Sequence, residues 1–209
     1  HVGLGLPMPQ NHHSLLQRLQ RLEARRLAQR AVGAIDAGRP YLAFGRNLAF
    51  TRAIWDEVGG FSSHEHLLSG DDDLWLQEAV KHGACVRATP TPSAQTISLW
   101  PSSWTAWRRQ KTRHFSASRA YPALLQAKLA LPTMGWVLLL AGVVHNGSGT
   151  SVGMLLLATI ARTLTFGLFL KRAGQPAREA WEICLEPLVS AFRAWAWFKG
   201  NMSDSTAWK

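Results

Sequence analysis

The feature that most constrains the fold is a pair of apolar stretches in the second half of the chain. No charged residue occurs from Leu129 to Val144, and after a polar turn at 145–150 a second apolar stretch, 151–170, is interrupted only by Arg162. Each stretch approaches the length that crosses a bilayer as a helix. The pattern predicts a membrane hairpin with spans at 129–145 and 151–170, and a buried core helix is the alternative for the first stretch.

Positive residues flank both outer ends of this hairpin. Lys128 and an Arg-rich stretch precede the first span, and Lys171 and Arg172 close the second. By the positive-inside rule, that side and the globular part of the chain face the cytoplasm, at the inner membrane of the cell, in a multi-pass protein. Arg162 is costly in lipid, so we expect it to face protein or to lie near an interface.

A third segment, 181–198, is rich in aromatic residues and is interrupted by Glu182, Glu186 and Arg193. This pattern predicts an interfacial amphipathic helix or a third span. The side chains of Trp195, Trp197 and Trp208 fit a headgroup belt or ordinary core packing.

The first 128 residues show short alternating helix and strand patterns, which indicate an α/β domain. Leu15 to Val32 has apolar residues at helical spacing with five arginines among them. Such a basic helix would lie on an anionic membrane, against a partner or in solvent. The pattern further predicts a strand-turn-strand at 39–50, a helix at 74–81 that ends at Gly83, and a strand at 84–88.

Asp71, Asp72 and Asp73 stand in a row in a chain of net charge +10. Adjacent carboxylates repel one another, so their clustering favours a site that binds a cation or removes a proton. A solvated loop with an Asp helix cap is the alternative. The triplet precedes a predicted helix, whose macrodipole favours ionised carboxylates.

Four sequence blocks, in this order, carry a family resemblance: 45–50 (Gly-Arg-Asn-Leu-Ala-Phe), 58–61 (Val-Gly-Gly-Phe), 69–74 (Ser-Gly-Asp-Asp-Asp-Leu) and 110–114 (Gln-Lys-Thr-Arg-His). Together with the apolar spans, they resemble the family 2 glycosyltransferases of the GT-A fold, in particular bacterial membrane-anchored members. The resemblance implies that residues 1–128 are the acceptor-side, C-terminal part of a GT-A catalytic domain, followed by a membrane region at 129–209. Because the chain begins at His1 in mid-pattern, we expect it to lack an N-terminal half and to be inactive alone.

The resemblance implies an inverting transferase that moves a sugar, of hexosyl type, from a nucleotide-sugar donor to a hydroxyl on a glycan or lipid acceptor. A hydroxyl is a poor nucleophile until a carboxylate takes its proton. The spacing to Gly83 favours Asp72 as this base, whereas the Asp-Leu spacing favours Asp71; Asp73 is then a cap or a supporting residue. Although the triplet satisfies an Asp-x-Asp metal motif, its position after the Gly-Gly-Phe block assigns it to the base.

Gln110 and Arg113 match the family's Gln-x-x-Arg-Trp element and are expected to bind the donor diphosphate. His114 stands where the family has Trp, which argues against processive synthesis. The residues assigned to the acceptor side are Gly45, Asn47, Asp73 and His114.

The family also implies Mg²⁺ or Mn²⁺, with ligands expected in the missing half and none assigned here. Membrane lipids are expected partners, and nucleic acid is not. The alternative function is a non-catalytic membrane protein whose basic helices bind anionic lipid or nucleic acid. Three carboxylates at the centre of a phosphate-binding surface argue against it.

Overall fold

Helices form most of the molecule, and two small sheets include its first residues. The computed structural model describes residues 1–9, 14–67 and 69–202, without the side chains of Pro9 and Asn146. The described residues form these α-helices: α1 Leu15–Asp36, α2 Arg52–Val58, α3 Asp71–Lys81, α4 Trp104–Ser116, α5 Ala123–Asn146, α6 Gly149–Arg172 and α7 Glu186–Met202. The strands are β1 Val2–Gly5, β2 Pro7–Pro9, β3 Leu48–Phe50, β4 Val86–Thr89 and β5 Thr96–Ser98.

The first two strands were not predicted from the sequence. Strand β1 is the centre of a sheet of order β3-β1-β4, antiparallel to β3 and parallel to β4, and β2 pairs in parallel with β5. Glycine and proline alternate through these residues and are weak strand formers. Gly5 is required by packing, because a Cβ there would lie 2.3 Å from the Asn47 side-chain nitrogen.

The predicted helix at 15–32 is confirmed and extends to Asp36, but its basic face does not lie in solvent. Its partner is the C-terminal part of the same chain. Arg25 is 2 % exposed and contacts Glu179 at 2.5 Å, and Arg26 contacts Glu186 at 2.9 Å. Leu19 and Leu22 and their neighbours enter the hydrophobic core.

The two apolar stretches form the antiparallel helices α5 and α6, and two windows, Ala123–His145 and Gly149–Arg172, have the length and composition of membrane spans. Little of either window is buried against protein. As expected, Arg162 faces protein: it contacts Glu186 at 2.6 Å and lies over the Trp136 ring. Helix α5 begins earlier than predicted, so Pro132 lies inside the helix and not in its first turn.

The hydrophobic core is continuous across residue 128. One cluster joins α1, α4, α6 and α7, with Phe192 stacked on Trp107 at 4.0 Å between ring centroids, and a second cluster lies under the three-stranded sheet. The segment 181–198 forms the end of a 3₁₀ turn, Ala177–Leu185, and most of α7. Trp197 is 46 % exposed, and Trp208 lies outside the described residues. The placement of these tryptophans at the lipid head groups stays a prediction. The domain boundary at residue 128 also stays a prediction.

Candidate active site

The aspartate triplet forms the first turn of α3, which begins three residues earlier than the sequence pattern predicted. Gly70 precedes it with φ 89°, a conformation that glycine adopts readily. A Cβ at Gly70 would lie 2.7 Å from the Cβ of Ala117. The glycine therefore allows the N-terminus of α3 to approach the end of α4 closely, and the helix dipole there favours carboxylates.

Two of the aspartates bind the backbone of the segment that leads to β3. The N–H of Ala43 donates to Oδ1 of Asp73 at 2.7 Å, and the N–H of Gly45 donates to Oδ2 of Asp72 at 2.7 Å. These bonds explain a wrong prediction: of the strand-turn-strand expected at 39–50, only Leu48–Phe50 is a strand, and Gly45–Asn47 is a 3₁₀ turn. The carboxylates accept hydrogen bonds from backbone N–H groups that would otherwise bond to a neighbouring strand.

Gly45, which the sequence assigned to the acceptor side, approaches Asp72 closely. Its φ is not positive. A Cβ at Gly45 would lie 3.4 Å from Oδ2 of Asp72, in direct contact with the carboxylate. A small residue here therefore keeps the backbone N–H next to the carboxylate.

Tyr121 was not identified from the sequence. Its hydroxyl donates to Oδ2 of Asp73 at 2.6 Å, from a position two residues before α5. Burial and the neighbouring Asp73 carboxylate raise the pKa of Tyr121 above its ordinary value, so the phenol stays protonated and remains a donor. No local sequence pattern marks this tyrosine, because its partner Asp73 lies 48 residues away in the sequence.

The three aspartates have different environments. Burial, and then the nearby Asp72 charge, raise the pKa of Asp73 to about 7, against the opposing hydrogen bonds from Tyr121 and Ala43. Burial also raises the pKa of Asp72, although the backbone N–H groups of Gly45 and Asp73 lower it in part. Asp71 is exposed, and its side chain has no hydrogen-bond partner among the described residues. Asp73 is thus held by neighbours at both oxygens, whereas Asp71 and Asp72 present a carboxylate to the site.

A cavity of about 650 Å³ lies beside the triplet. It brings together most of the residues that the sequence selected: Gly45, Asp71, Asp72, Asp73, Gln110, Arg113 and His114. The Oε1 atom of Gln110 is buried and accepts no hydrogen bond from any residue that the structure describes. This oxygen can therefore accept a hydrogen bond from a bound ligand.

Asn47 is the selected residue that the structure does not bring to the cavity. Its side-chain amide donates to the carbonyl of Ala94 at 2.7 Å and packs over Gly5. The described residues that line the cavity do not include it. Its placement joins the β3 segment to the turn before β5.

Lys111 lines the cavity beside Gln110, but its charge is not available there. This side chain is 5 % exposed and pairs with Glu23 of α1 at 2.7 Å, so its charge is balanced internally. Arg46, which was not selected, lines the cavity with its guanidinium 5.4 Å from the centre of the Trp100 ring. Arg46 and Arg113 therefore bring positive charge to this end of the cavity.

The ring of His114 lies at the cavity next to three cationic side chains. Loss of solvation inside the cavity, together with three nearby cations, lowers the pKa of its ring to about 3. The cations belong to Lys111, Arg113 and Arg46. A neutral imidazole next to these groups can donate or accept a hydrogen bond without adding charge.

The sequence was compared with known families and proteins. Residues 3–198 match the family described as glycosyl transferase family group 2. The chain belongs to the family 2 glycosyltransferases. This family match supports a role in glycosyl transfer and implies a nucleotide-sugar donor and an acceptor. Neither the curated proteins nor the solved structures gave a match.

Proposed function

We propose that this chain is part of a membrane-anchored inverting glycosyltransferase that moves a hexosyl group from a nucleotide sugar to a hydroxyl acceptor. The observation that carries the proposal is the position of Asp72. Two backbone N–H groups, from Gly45 and Asp73, fix its carboxylate in the cavity that also contains Gln110 and Arg113.

In the proposed reaction, the acceptor hydroxyl attacks the anomeric carbon from the face opposite the leaving diphosphate. Asp72 takes the hydroxyl proton as the new bond forms, and the raised pKa of its carboxyl makes it a better proton acceptor than an ordinary exposed aspartate. Arg113 and Gln110, whose Oε1 accepts no hydrogen bond from the described residues, line the same cavity as Asp72. The guanidinium offsets the negative charge that develops on the departing diphosphate.

Asp73 is assigned a positioning role at the acceptor side, together with Gly45 and His114. Its carboxyl oxygens are engaged by Ala43 and Tyr121, so it is poorly placed to receive the acceptor proton. Through these bonds it fixes the backbone that in turn holds Asp72.

A divalent metal, Mg²⁺ or Mn²⁺, is part of the proposal on the basis of family membership. Among the described residues no three His, Cys, Asp or Glu side chains are grouped so that they could hold a metal ion. The triplet itself does not supply such a group, because Asp73 is engaged by Tyr121 and Ala43. We therefore derive no step through a metal here.

Membrane anchoring and the GT-A fold are likewise proposals. The first is supported by α5 and α6, which are long and apolar enough to span a bilayer and expose most of their surface. A cytoplasmic catalytic part follows from the positive flanks of the hairpin. The GT-A fold is supported by the order of the sequence motifs and by the mixed three-stranded sheet.

The structure gives no support to the alternative of a non-catalytic protein with lipid- or nucleic-acid-binding basic helices. Three of the five arginines of α1 that would form the binding surface, Arg21, Arg25 and Arg26, pair with Glu182, Glu179 and Glu186. An arginine that is already paired with a glutamate in the folded protein is not available to bind phosphate groups.

The proposal is tested by Asp72→Asn in the protein expressed from its complete reading frame. Because a positioned base contributes roughly a hundredfold to ten-thousandfold, we expect transfer to fall about a thousandfold with nucleotide-sugar binding retained. Asp71→Asn is the matched control and should cost less than about tenfold. Transfer would be measured with radiolabelled nucleotide sugars, and binding by titration calorimetry.

Unchanged turnover in Asp72→Asn would exclude this residue as the base. The reverse pattern, with the large loss in Asp71→Asn, would move the base to Asp71.

A further inference from the structure

We propose that the acceptor is a membrane lipid with a hydroxyl head group, which enters the cavity from the side between α5 and α7. This inference rests on the proposed function and specifies its acceptor. The same cavity that contains the aspartates continues along α5, where its wall is formed by Leu129, Ala130, Thr133 and Met134, and reaches Trp197 of α7.

The two ends of the cavity differ in chemistry. Around the triplet it is lined by carboxylates, Arg113, Gln110 and His114. Between α5 and α7 its wall is mostly apolar, with Gln126, Thr133 and Arg193 as the polar members. A glycan in the second part would place most of its hydroxyls against groups that cannot bond them, which costs free energy for each group left unpaired. A hydrocarbon chain has no such cost, and its burial there is favourable.

The position of the triplet relative to α5 fixes how a lipid would lie. Tyr121, which bonds Asp73, is two residues before α5 begins, so the carboxylates lie level with the start of the candidate span. With a rise of about 1.5 Å per residue, Leu129 to Met134 lie roughly 9 to 16 Å farther along the helix. A head group at Asp72 thus places its chain parallel to α5, which is the direction of lipid chains in a bilayer.

The lateral wall of this cavity is open. Met134 is 54 % exposed and Trp197 is 46 % exposed, although both line the cavity. The opposite face of α5 carries Leu131, which is 62 % exposed and is not among the described lining residues. One helix therefore separates the cavity from the surface that would face lipid, and the gap beside it offers a lipid a short path inward.

The experiment uses the protein from its complete reading frame in proteoliposomes made from total host lipid with added dioleoylglycerol. Soluble maltotriose and chitotriose are present as competing acceptors. Radiolabelled UDP-glucose, UDP-galactose, UDP-N-acetylglucosamine and GDP-mannose are supplied as donors. Label is counted separately in the organic phase, in soluble oligosaccharide and in free sugar released by donor hydrolysis.

Two matched variants of α5 test the path. Thr133→Trp fills the apolar part of the cavity, and Leu131→Trp adds the same ring to the outer face of the same helix. We expect label in the organic phase, reduced at least tenfold by Thr133→Trp and less than twofold by Leu131→Trp. Donor hydrolysis should be equal in both variants and in the unmodified protein.

Label in soluble oligosaccharide at a rate unaffected by Thr133→Trp would overturn the lipid acceptor and leave the transferase intact. Donor hydrolysis without any lipid product would also overturn it. If neither transfer nor hydrolysis occurred with any donor, the proposed function itself would fail. Equal loss in the two tryptophan variants would contradict the entry path along α5.

Discussion

Two groups of acidic side chains in this molecule have opposite surroundings. Glu23, Glu182 and Glu186 are 1–3 % exposed, and each lies beside a lysine or an arginine. Asp72 and Asp73, in contrast, accept hydrogen bonds from neutral donors, namely backbone N–H groups and the hydroxyl of Tyr121.

The consequence is a difference in proton affinity. Burial alone would raise the pKa of Glu186, but Arg26 and Arg162 outweigh it and hold that pKa below its ordinary value. Burial raises the pKa of Asp72 and Asp73, and no cation reverses it. A carboxylate with a cation partner stabilises the fold, whereas one with neutral donors retains affinity for a proton and is suited to take one from a substrate.

If this contrast is correct, Glu186→Gln should have the largest effect on folding. Its two oxygens bind Arg26 at 2.9 Å and Arg162 at 2.6 Å, so the change leaves two guanidinium groups without their anion. Breaking a buried pair typically costs about 3–5 kcal/mol. Thermal unfolding in detergent would measure the loss.

The matched control is Asp36→Asn, which removes the exposed pair between α1 and Arg172. A surface pair contributes roughly 0–1 kcal/mol, so its unfolding temperature should change little. Asp72→Asn should likewise leave the unfolding temperature nearly unchanged. Equal destabilisation in all three variants would remove the distinction between structural glutamates and functional aspartates.

A smaller effect is expected at the cationic side of the cavity. Arg113→Ala should weaken the binding of UDP or GDP about tenfold, because a charge-assisted hydrogen bond to the diphosphate is lost. Arg109→Ala, on the same helix but not among the described lining residues, should leave the affinity unchanged. Equal affinity in Arg113→Ala by titration calorimetry would count against a diphosphate-binding role.

The smallest effect concerns the pH dependence of stability. The pKa of Asp73 is about 7 in the folded protein and ordinarily about 4, so the folded state holds this proton more tightly than the unfolded state. The stabilising contribution is therefore present below pH 4 and is lost as the pH rises toward 7. Asp73→Asn should show a smaller fall in unfolding temperature between pH 4.5 and 7.5.

Asp56→Asn serves as the control for this measurement, because Asp56 is an exposed residue that pairs with Arg52. It should keep the pH profile of the unmodified protein. An Asp73→Asn profile parallel to that of the unmodified protein would contradict the raised pKa.

The sequence predicted the parts of the site that lie in local motifs. Asp71 to Asp73, Gln110, Arg113, His114 and Gly45 meet at one cavity, and each belongs to a short sequence motif. It also predicted α1 and the apolar hairpin, whose periodicity and length are properties of continuous segments.

The remaining features depend on contacts between distant segments. Tyr121 and Asp73 lie 48 residues apart in the sequence, and the glutamate partners of α1 lie more than 150 residues away. Strand β1 is hidden by its two glycines, Gly3 and Gly5, which are weak strand formers; Gly5 packs closely against Asn47. Asn47 itself was assigned to the acceptor side from its motif, but its side chain faces β1.

The long-range ion pairs of α1 can form only late in the synthesis of the chain. The arginines of α1 leave the ribosome well before Glu179, Glu182 and Glu186 are made, and those glutamates follow both apolar helices. Until they arrive, α1 has a strongly basic, unpaired face. The cavity acquires the wall that α7 forms only after both apolar helices of the hairpin have been made.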